Sequence, residues 1–144
     1  MAALSDIHIA RQEAVDAIDT VLDRATGSSF HPHLAGAIEA LRARKAEIES
    51  LDVPASAHDV RVDWTVETLR TAVHGMRAVG QGMNSSDRIV ENLDTFLGAG
   101  AIVVGAVRMM SAPRYKCPKC PRSSVRPAIC PVDKVPMQLV SDGP

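Results

Sequence analysis

The sequence predicts an all-α fold, a helical bundle of about four helices, followed by a short C-terminal segment that holds all three cysteines. Apolar residues recur at spacings of three and four through most of residues 1–112, as they do on the buried face of an amphipathic helix. Hydrophobic residues make up 46% of the chain and aromatic residues only 3%, so the core must be mainly aliphatic. Such a core suits helix packing better than a β-sandwich.

A clear break separates the first two predicted helices. The first covers residues 5–25, and its apolar face consists of Ile7, Ala10, Ala14, Ile18 and Val21. Gly27-Ser28-Ser29 interrupts this pattern. The second helix is expected to begin near His31-Pro32, because proline is well tolerated in a first turn, and to end before Pro54. Its apolar positions recur every seven residues at Leu34, Leu41 and Ile48.

The third helix is predicted over residues 58–83. Its apolar stripe consists of Val62, Val66, Leu69, Val73 and Met76. Its last turns contain three glycines: Gly75, Gly80 and Gly82. Each glycine costs about 1 kcal/mol relative to alanine in a helix interior, so we expect this end to fray or bend.

The fourth helix has the most regular pattern, and Asn84-Ser85-Ser86-Asp87 provides good capping residues before it. Its apolar seam alternates steps of four and three: Ile89, Leu93, Phe96, Gly100, Val103, Val107 and Met110. Four small residues are predicted to permit close packing inside the bundle: Gly98, Gly100, Ala101 and Gly105. Residues 96–107 are apolar on nearly all sides, so any part that the bundle leaves uncovered is expected to bind a protein partner or a second copy.

The sequence predicts neither an export signal nor a membrane span. Asp6 and His8 interrupt the first ten residues, and no apolar stretch of a signal peptide follows. The longest apolar run covers residues 96–107, whereas a transmembrane helix needs about twenty. Three cysteines cannot all pair within one chain. We therefore expect a reduced, cytoplasmic setting.

Ser111-Ala112-Pro113 marks a predicted boundary between an α-helical domain, residues 1–112, and a tail, residues 113–144. The tail contains the spacing Cys117-x2-Cys120-x9-Cys130-x2-Asp133. Two short turns that each present two ligands suit a tetrahedral Zn²⁺ site, with Asp133 as the fourth ligand. Two alternatives are Zn²⁺ held by the three cysteines with a histidine or water, and a segment that folds without metal or uses its thiols in redox chemistry.

The cysteine segment resembles the short zinc ribbons of bacterial proteins, whose second turn often reads Cys-Pro-x-Asp-Gly before an apolar residue. It is also similar to small heavy-metal-binding modules that begin Tyr-x-Cys-Pro and end Met-x-Leu-Val, as do residues 115–118 and 137–140 here. The resemblance covers residues 115–140 and implies a zinc-ribbon-like appendage and a metal, but no activity. Pro121 and Lys134 stand where glycine is usual, so both turns are expected to be distorted.

Charge is unevenly distributed between the two parts. Residues 1–107 carry nine Lys/Arg and fifteen Asp/Glu, a formal charge of −6, whereas residues 108–144 carry +5. The tail cations can offset the thiolates or contact nucleic acid, for which the candidates are Arg114, Lys116, Lys119, Arg122 and Arg126. The acidic body opposes phosphate binding, so nucleic acid is not the favoured partner.

No residue set predicts a catalytic centre. G-x-S-x-G, P-loop and H-E-x-x-H motifs are absent, and no histidine has a glutamate three residues before it, which excludes the usual di-iron pattern. The sequence therefore favours a non-enzymatic interaction or assembly protein that binds a protein partner or itself through its helices. The alternatives are a nucleic-acid-binding or regulatory protein and, third, a metal-handling protein.

Overall fold

The computed structural model describes residues 2–27, 31–55, 57, 59–110, 114–120, 123–124 and 128–140. It contains four α-helices: α1 (Leu4–Thr26), α2 (Leu34–Glu49), α3 (Asp59–Gly82) and α4 (Ser86–Met110). Three short strands follow: β1 (Arg114–Lys116), β2 (Ser123–Ser124) and β3 (Gln138–Val140). The prediction of four helices is confirmed, although α2 is shorter at both ends than its flanking prolines indicated.

The helices form a bundle in which α1 and α4 each pack against both α2 and α3. α1 also contacts α4, whereas the described residues of α2 and α3 do not meet, so α2 and α3 occupy opposite corners. α4 therefore touches every other helix. The described strand residues contact one another and no helix.

The core consists of the apolar stripes that the sequence predicts. All five stripe residues of α1 and all five of α3 are buried, as are six of the seven seam positions of α4, with Leu93 half-buried. Phe96 is the largest fully buried side chain and is 1% exposed. Aliphatic side chains supply nearly all the rest, so the core depends on close approach of the helices rather than on large rings.

The helical glycines play different parts in this packing. A Cβ at Gly80 would lie 3.5 Å from Cε2 of Phe96, so this glycine brings α3 close to α4, and α3 continues unbroken to Gly82. On α4, a Cβ at Gly100 would lie 3.1 Å from Cγ of Arg44. At Gly98 and Gly105, by contrast, no atom outside the helix backbone lies within 4 Å of that position. Close packing inside the bundle is thus confirmed for Gly100, against the Arg44 side chain, and wrong for Gly98, Ala101 and Gly105, which are exposed.

Arginines secure the C-terminal ends of three helices. Side chains on α1 and α3 donate hydrogen bonds to backbone carbonyls at or just beyond those ends: Arg11 to Leu51 (2.8 Å), Arg24 to Gly80 (2.6 Å) and Arg61 to Met110 (3.0 Å). The last carbonyls of a helix have no partner within it and carry its negative partial charge. The bonds to Leu51 and Met110 supply such carbonyls with a donor, whereas Gly80 also accepts from the N–H of Met83. All three bonds link neighbouring helices and fix their relative positions.

By length and composition, α4 is the one helix in the described part of the chain that is able to cross a membrane. Within its most apolar 18-residue window, 39% of residues are buried inside the bundle. The core helix of a soluble protein can have the same length and apolar composition. The packing of α4 against all three neighbours is consistent with such a core helix.

Truncating Phe96 is expected to remove the largest contact of the core. Phe96→Ala should lower the free energy of unfolding by about 3–5 kcal/mol, because it loses apolar burial and leaves a cavity between α4 and its neighbours. Ile9→Ala, at an exposed position on α1, is the matched control and should change stability by less than about 0.5 kcal/mol. Urea unfolding followed by circular dichroism measures both, and equal losses would contradict the proposed role of Phe96.

Candidate metal centre

The three strands bring distant parts of the tail together. They form one antiparallel sheet in the order β2-β1-β3, and Tyr115 of β1 pairs with Leu139 of β3. A second antiparallel bridge joins Ile129 to Pro136. Cys117 directly follows β1, and the Ile129–Pro136 bridge closes the turn that contains Cys130 and Asp133.

Four potential metal ligands converge at this point: Cys117, Cys120, Cys130 and Asp133. One ligand atom from each lies within 4.8 Å of all the others. Sγ of Cys117 is 3.3 Å from Oδ2 of Asp133, and Sγ of Cys120 is 3.5 Å from Sγ of Cys130. The three cysteines form no disulfide, two of them are buried, and the cluster is able to hold a metal ion.

Three separations between ligand atoms in the cluster are close to the edges of a small tetrahedron. Zn–S bonds of about 2.3 Å place two sulfur ligands about 3.8 Å apart, and a sulfur and an oxygen ligand slightly closer. The cluster has separations of 3.3 and 3.8 Å between Oδ2 of Asp133 and the sulfurs of Cys117 and Cys130. Within the described residues no histidine joins this group, which favours Asp133 over histidine as the fourth protein ligand.

The second turn, from Cys130 to Asp133, is held by its own backbone. The N–H of Lys134 donates to the carbonyl of Cys130 at 2.8 Å, and the N–H of Cys130 donates to the carbonyl of Val135 at 2.9 Å. Lys134 has φ 54°, the left-handed conformation that glycine usually supplies in such turns. The departure from glycine is thus absorbed as backbone strain at Lys134. Pro121, the other expected distortion, lies outside the described residues.

The same turn prepares Cys130 to act as a thiolate. The backbone N–H of Asp133, 3.5 Å from Sγ, is the main influence that lowers the pKa of Cys130, and the N–H of Val132 acts in the same direction. The Cys120 and Cys117 side chains also lower this pKa, whereas burial opposes the change. N–H donors stabilise the charged sulfur, which is the form that binds a metal.

The tail cations predicted as nucleic-acid contacts are only partly described. Lys116 and Lys119 are exposed and lie immediately beside Cys117 and Cys120 in the sequence. Arg114 belongs to β1, and its side chain is outside the described part, as are all of Arg122 and Arg126. Lys134, also exposed, adjoins Asp133. The described lysines are therefore placed to offset negative charge at the cluster.

The bundle carries a second feature that the sequence pattern missed. Trp64, the one tryptophan, points away from the α3 stripe and is 52% exposed. With Ile102 of α4 it lines a groove of about 530 Å³ between the two helices, which Thr68, Thr71 and Ala99 also border. The sequence does indicate that Trp64 is exposed, since position 64 lies off the apolar face formed by Val62, Val66 and Leu69.

No protein-family model, curated protein or solved structure matches this chain. The protein is therefore described by its structure: it is a four-helix bundle followed by a C-terminal segment in which three cysteines and an aspartate lie close together.

Lys134→Gly is expected to bind metal more tightly than Lys134→Ala, because both variants lose the lysine charge and only glycine relieves the backbone strain. A left-handed backbone costs a non-glycine residue roughly 1–2 kcal/mol, part of which the greater freedom of unfolded glycine cancels. A net gain of about 1 kcal/mol corresponds to affinity for Zn²⁺ tighter by about fivefold. Competition with a chromophoric chelator measures it. Lys134→Ala is the matched control, because it removes the charge and keeps the strained Cβ; equal affinities of the two variants would refute the strain argument.

Proposed function

We propose that this protein is a non-enzymatic interaction or assembly protein in which a Zn²⁺ ion holds a C-terminal ribbon together and the helical bundle supplies the association surface. The observation that carries the proposal is the convergence of Cys117, Cys120, Cys130 and Asp133, whose ligand atoms lie within 4.8 Å of one another.

The donor set supports zinc as the metal. Three thiolates and a carboxylate in a tetrahedral arrangement suit Zn²⁺, whereas Mg²⁺ and Ca²⁺ prefer oxygen donors and higher coordination. Four protein ligands also fill a tetrahedral site, which favours a structural role, since catalytic zinc keeps a position for water. The complex carries a formal charge of −2, and the adjacent Lys116, Lys119 and Lys134 reduce its cost.

The burial pattern of the tail supports a structural role for the metal. Cys117 and Cys130 are 1% and 0% exposed, and they are the buried ones among residues 115–120 and 128–139, the part of the segment whose side chains the structure describes. Ile129, Val132 and Leu139 are exposed. A segment this short cannot bury enough apolar surface to fold by itself, so metal coordination has to supply the free energy that a hydrophobic core supplies elsewhere.

Exposed apolar side chains on the bundle support the association role. Four large ones belong to α3 and α4: Val60 (68%), Trp64 (52%), Ile102 (51%) and Met109 (38% exposed). Such residues scattered singly are normal on a protein surface, whereas Trp64 and Ile102 line one groove, an arrangement typical of a binding surface. The bundle therefore has surface to offer a partner in addition to its own core.

Purified protein is expected to contain about one equivalent of zinc per chain after metal-replete expression. Cys117→Ser should lose most of it, because the variant loses a buried thiolate. Asp133→Ala should retain more than Cys117→Ser, since water is able to fill a vacant fourth position. Asp52→Ala, an exposed aspartate on the bundle, is the control and should leave the content unchanged. Elemental analysis measures all four proteins, and wild-type zinc below about a tenth of an equivalent would overturn the proposal.

Chelation is expected to separate the two parts of the chain. The helical bundle has its own hydrophobic cluster, formed entirely by residues up to Met110 among those described, so its far-UV circular dichroism should survive removal of the metal. The cysteine segment should lose its structure, which NMR signals of Tyr115 and Leu139 report. Loss of most helical signal would instead show that the ribbon is required by the helical core.

A further inference from the structure

The outward side of α4 carries a second regular seam opposite the buried one. Its exposed residues follow steps of four and three: Asp94, Gly98, Ala101, Gly105 and Arg108. We call these five residues the outer stripe. Ile102 and Met109, both exposed, flank it. The outer stripe has small residues at its centre, an acidic residue at one end and a basic residue at the other.

The glycines of the outer stripe serve nothing within the protomer. A Cβ at Gly98 or Gly105 would meet open space, and neither glycine has a positive φ. Each lowers helix stability by about 1 kcal/mol relative to alanine, although alanine would fit both places. Their benefit must come from outside the protomer, and the one thing that a missing side chain provides there is room for another backbone to approach.

A groove between α3 and α4 lies next to the outer stripe, on the side where a partner helix would also meet α3. Ile102 stands beside the stripe and forms one wall, while Trp64 of α3 forms the other. Both side chains are about half exposed in the protomer. A helix that packs on the glycines is in reach of these two side chains, and burial of tryptophan makes a large contribution at interfaces.

The positions of the charges in the outer stripe favour a second copy of α4 as the binding partner. Asp94 and Arg108 stand at equal distances on either side of Ala101, about 21 Å apart along the helix. A second α4 that runs antiparallel across Ala101 therefore places its Arg108 beside Asp94 and its Asp94 beside Arg108. A parallel copy would instead bring like charges together. Arg108 is 64% exposed, and its Nη2 is 3.7 Å from Oε2 of Glu47, a loose contact that leaves the guanidinium accessible.

We propose that two copies of this chain form an antiparallel, two-fold symmetric dimer through the outer stripe and the Trp64–Ile102 groove. Gly98 of one copy lies opposite Gly105 of the other, and two Asp94–Arg108 pairs fix the register. Such an interface is isologous, because the same residues serve both copies. This inference deepens the proposed assembly role and rests on it by naming the partner and the face.

Charge exchange on the full chain tests the register. Asp94→Arg and Arg108→Glu should each weaken dimerisation by at least about tenfold, because each creates two like-charge contacts per dimer. The double variant Asp94→Arg/Arg108→Glu should recover most of the wild-type affinity, and so should an equimolar mixture of the single variants. Sedimentation equilibrium measures the dissociation constants, and circular dichroism confirms that each variant is folded. Single variants that dimerise like the wild type would overturn the proposed face.

A bulky residue in the stripe tests the close approach of the helices. Gly98→Leu should keep the protomer folded, because its Cβ meets open space, and should weaken dimerisation by more than about tenfold. Gly36→Leu is the matched control: its position on α2 is equally open, and its dimer should be unchanged. Trp64 gives an independent signal, since its emission should shift to the red when wild-type protein dissociates on dilution. Equal effects of both leucines would refute the proposal.

Two further outcomes would overturn the inference and leave the proposed function standing. One is a wild-type protein that remains monomeric up to about 1 mM, a concentration above which association has little meaning, yet still binds zinc and another protein. The other is association of wild-type protein with phosphatidylcholine–phosphatidylserine vesicles that Gly98→Leu retains, which would assign the α4 face to a lipid surface. Loss of zinc binding with dimerisation intact would instead count against the proposed metal role alone.

Discussion

The burial of one face of α4 is the interaction on which the rest of the bundle depends. α4 is the helix that α1, α2 and α3 all contact, and its seam supplies Phe96, the one aromatic side chain that is buried among the described residues. A core otherwise made of aliphatic residues gains its dispersion energy from close approach. Gly80 and Gly100 allow that approach where α3 and Arg44 meet α4. Arginines from α1 and α3 then donate to backbone carbonyls near the ends of neighbouring helices and hold the packed arrangement in place.

The two parts of the chain solve the problem of stability by different physical means. The helices bury a continuous apolar cluster, which is sufficient for a domain of this size. The tail leaves its apolar residues exposed and buries two cysteines. Its interior consists of ligand atoms, and its stability is expected to come from a metal. In the second turn, Lys134 has a left-handed backbone and its N–H donates to the carbonyl of Cys130, the residue that shares the cluster with Asp133.

α4 carries two seams with the same spacing and opposite exposure. The inner seam faces the core, because α1, α2 and α3 all pack against α4. The outer stripe retains glycines that cost helix stability and charges whose order along the helix is self-complementary in the antiparallel direction. The same helix is also long and apolar enough to cross a membrane. Charged residues at both ends of the outer stripe fit a protein partner better than lipid, and this is why the structure points to a second copy.

The sequence by itself determined the local features: four helices, the residues of their buried stripes, the end of α4 and the grouping of the cysteines into two turns. These follow from periodicity, capping and spacing, which are properties of neighbouring residues along one element. Only the tertiary structure decided that Gly100 packs closely while Gly98 and Gly105 face open space, since all three look alike in the sequence. It alone placed Trp64 and Ile102 in one groove. Which neighbour covers a position depends on how separate elements are arranged in space, and no local pattern contains that information.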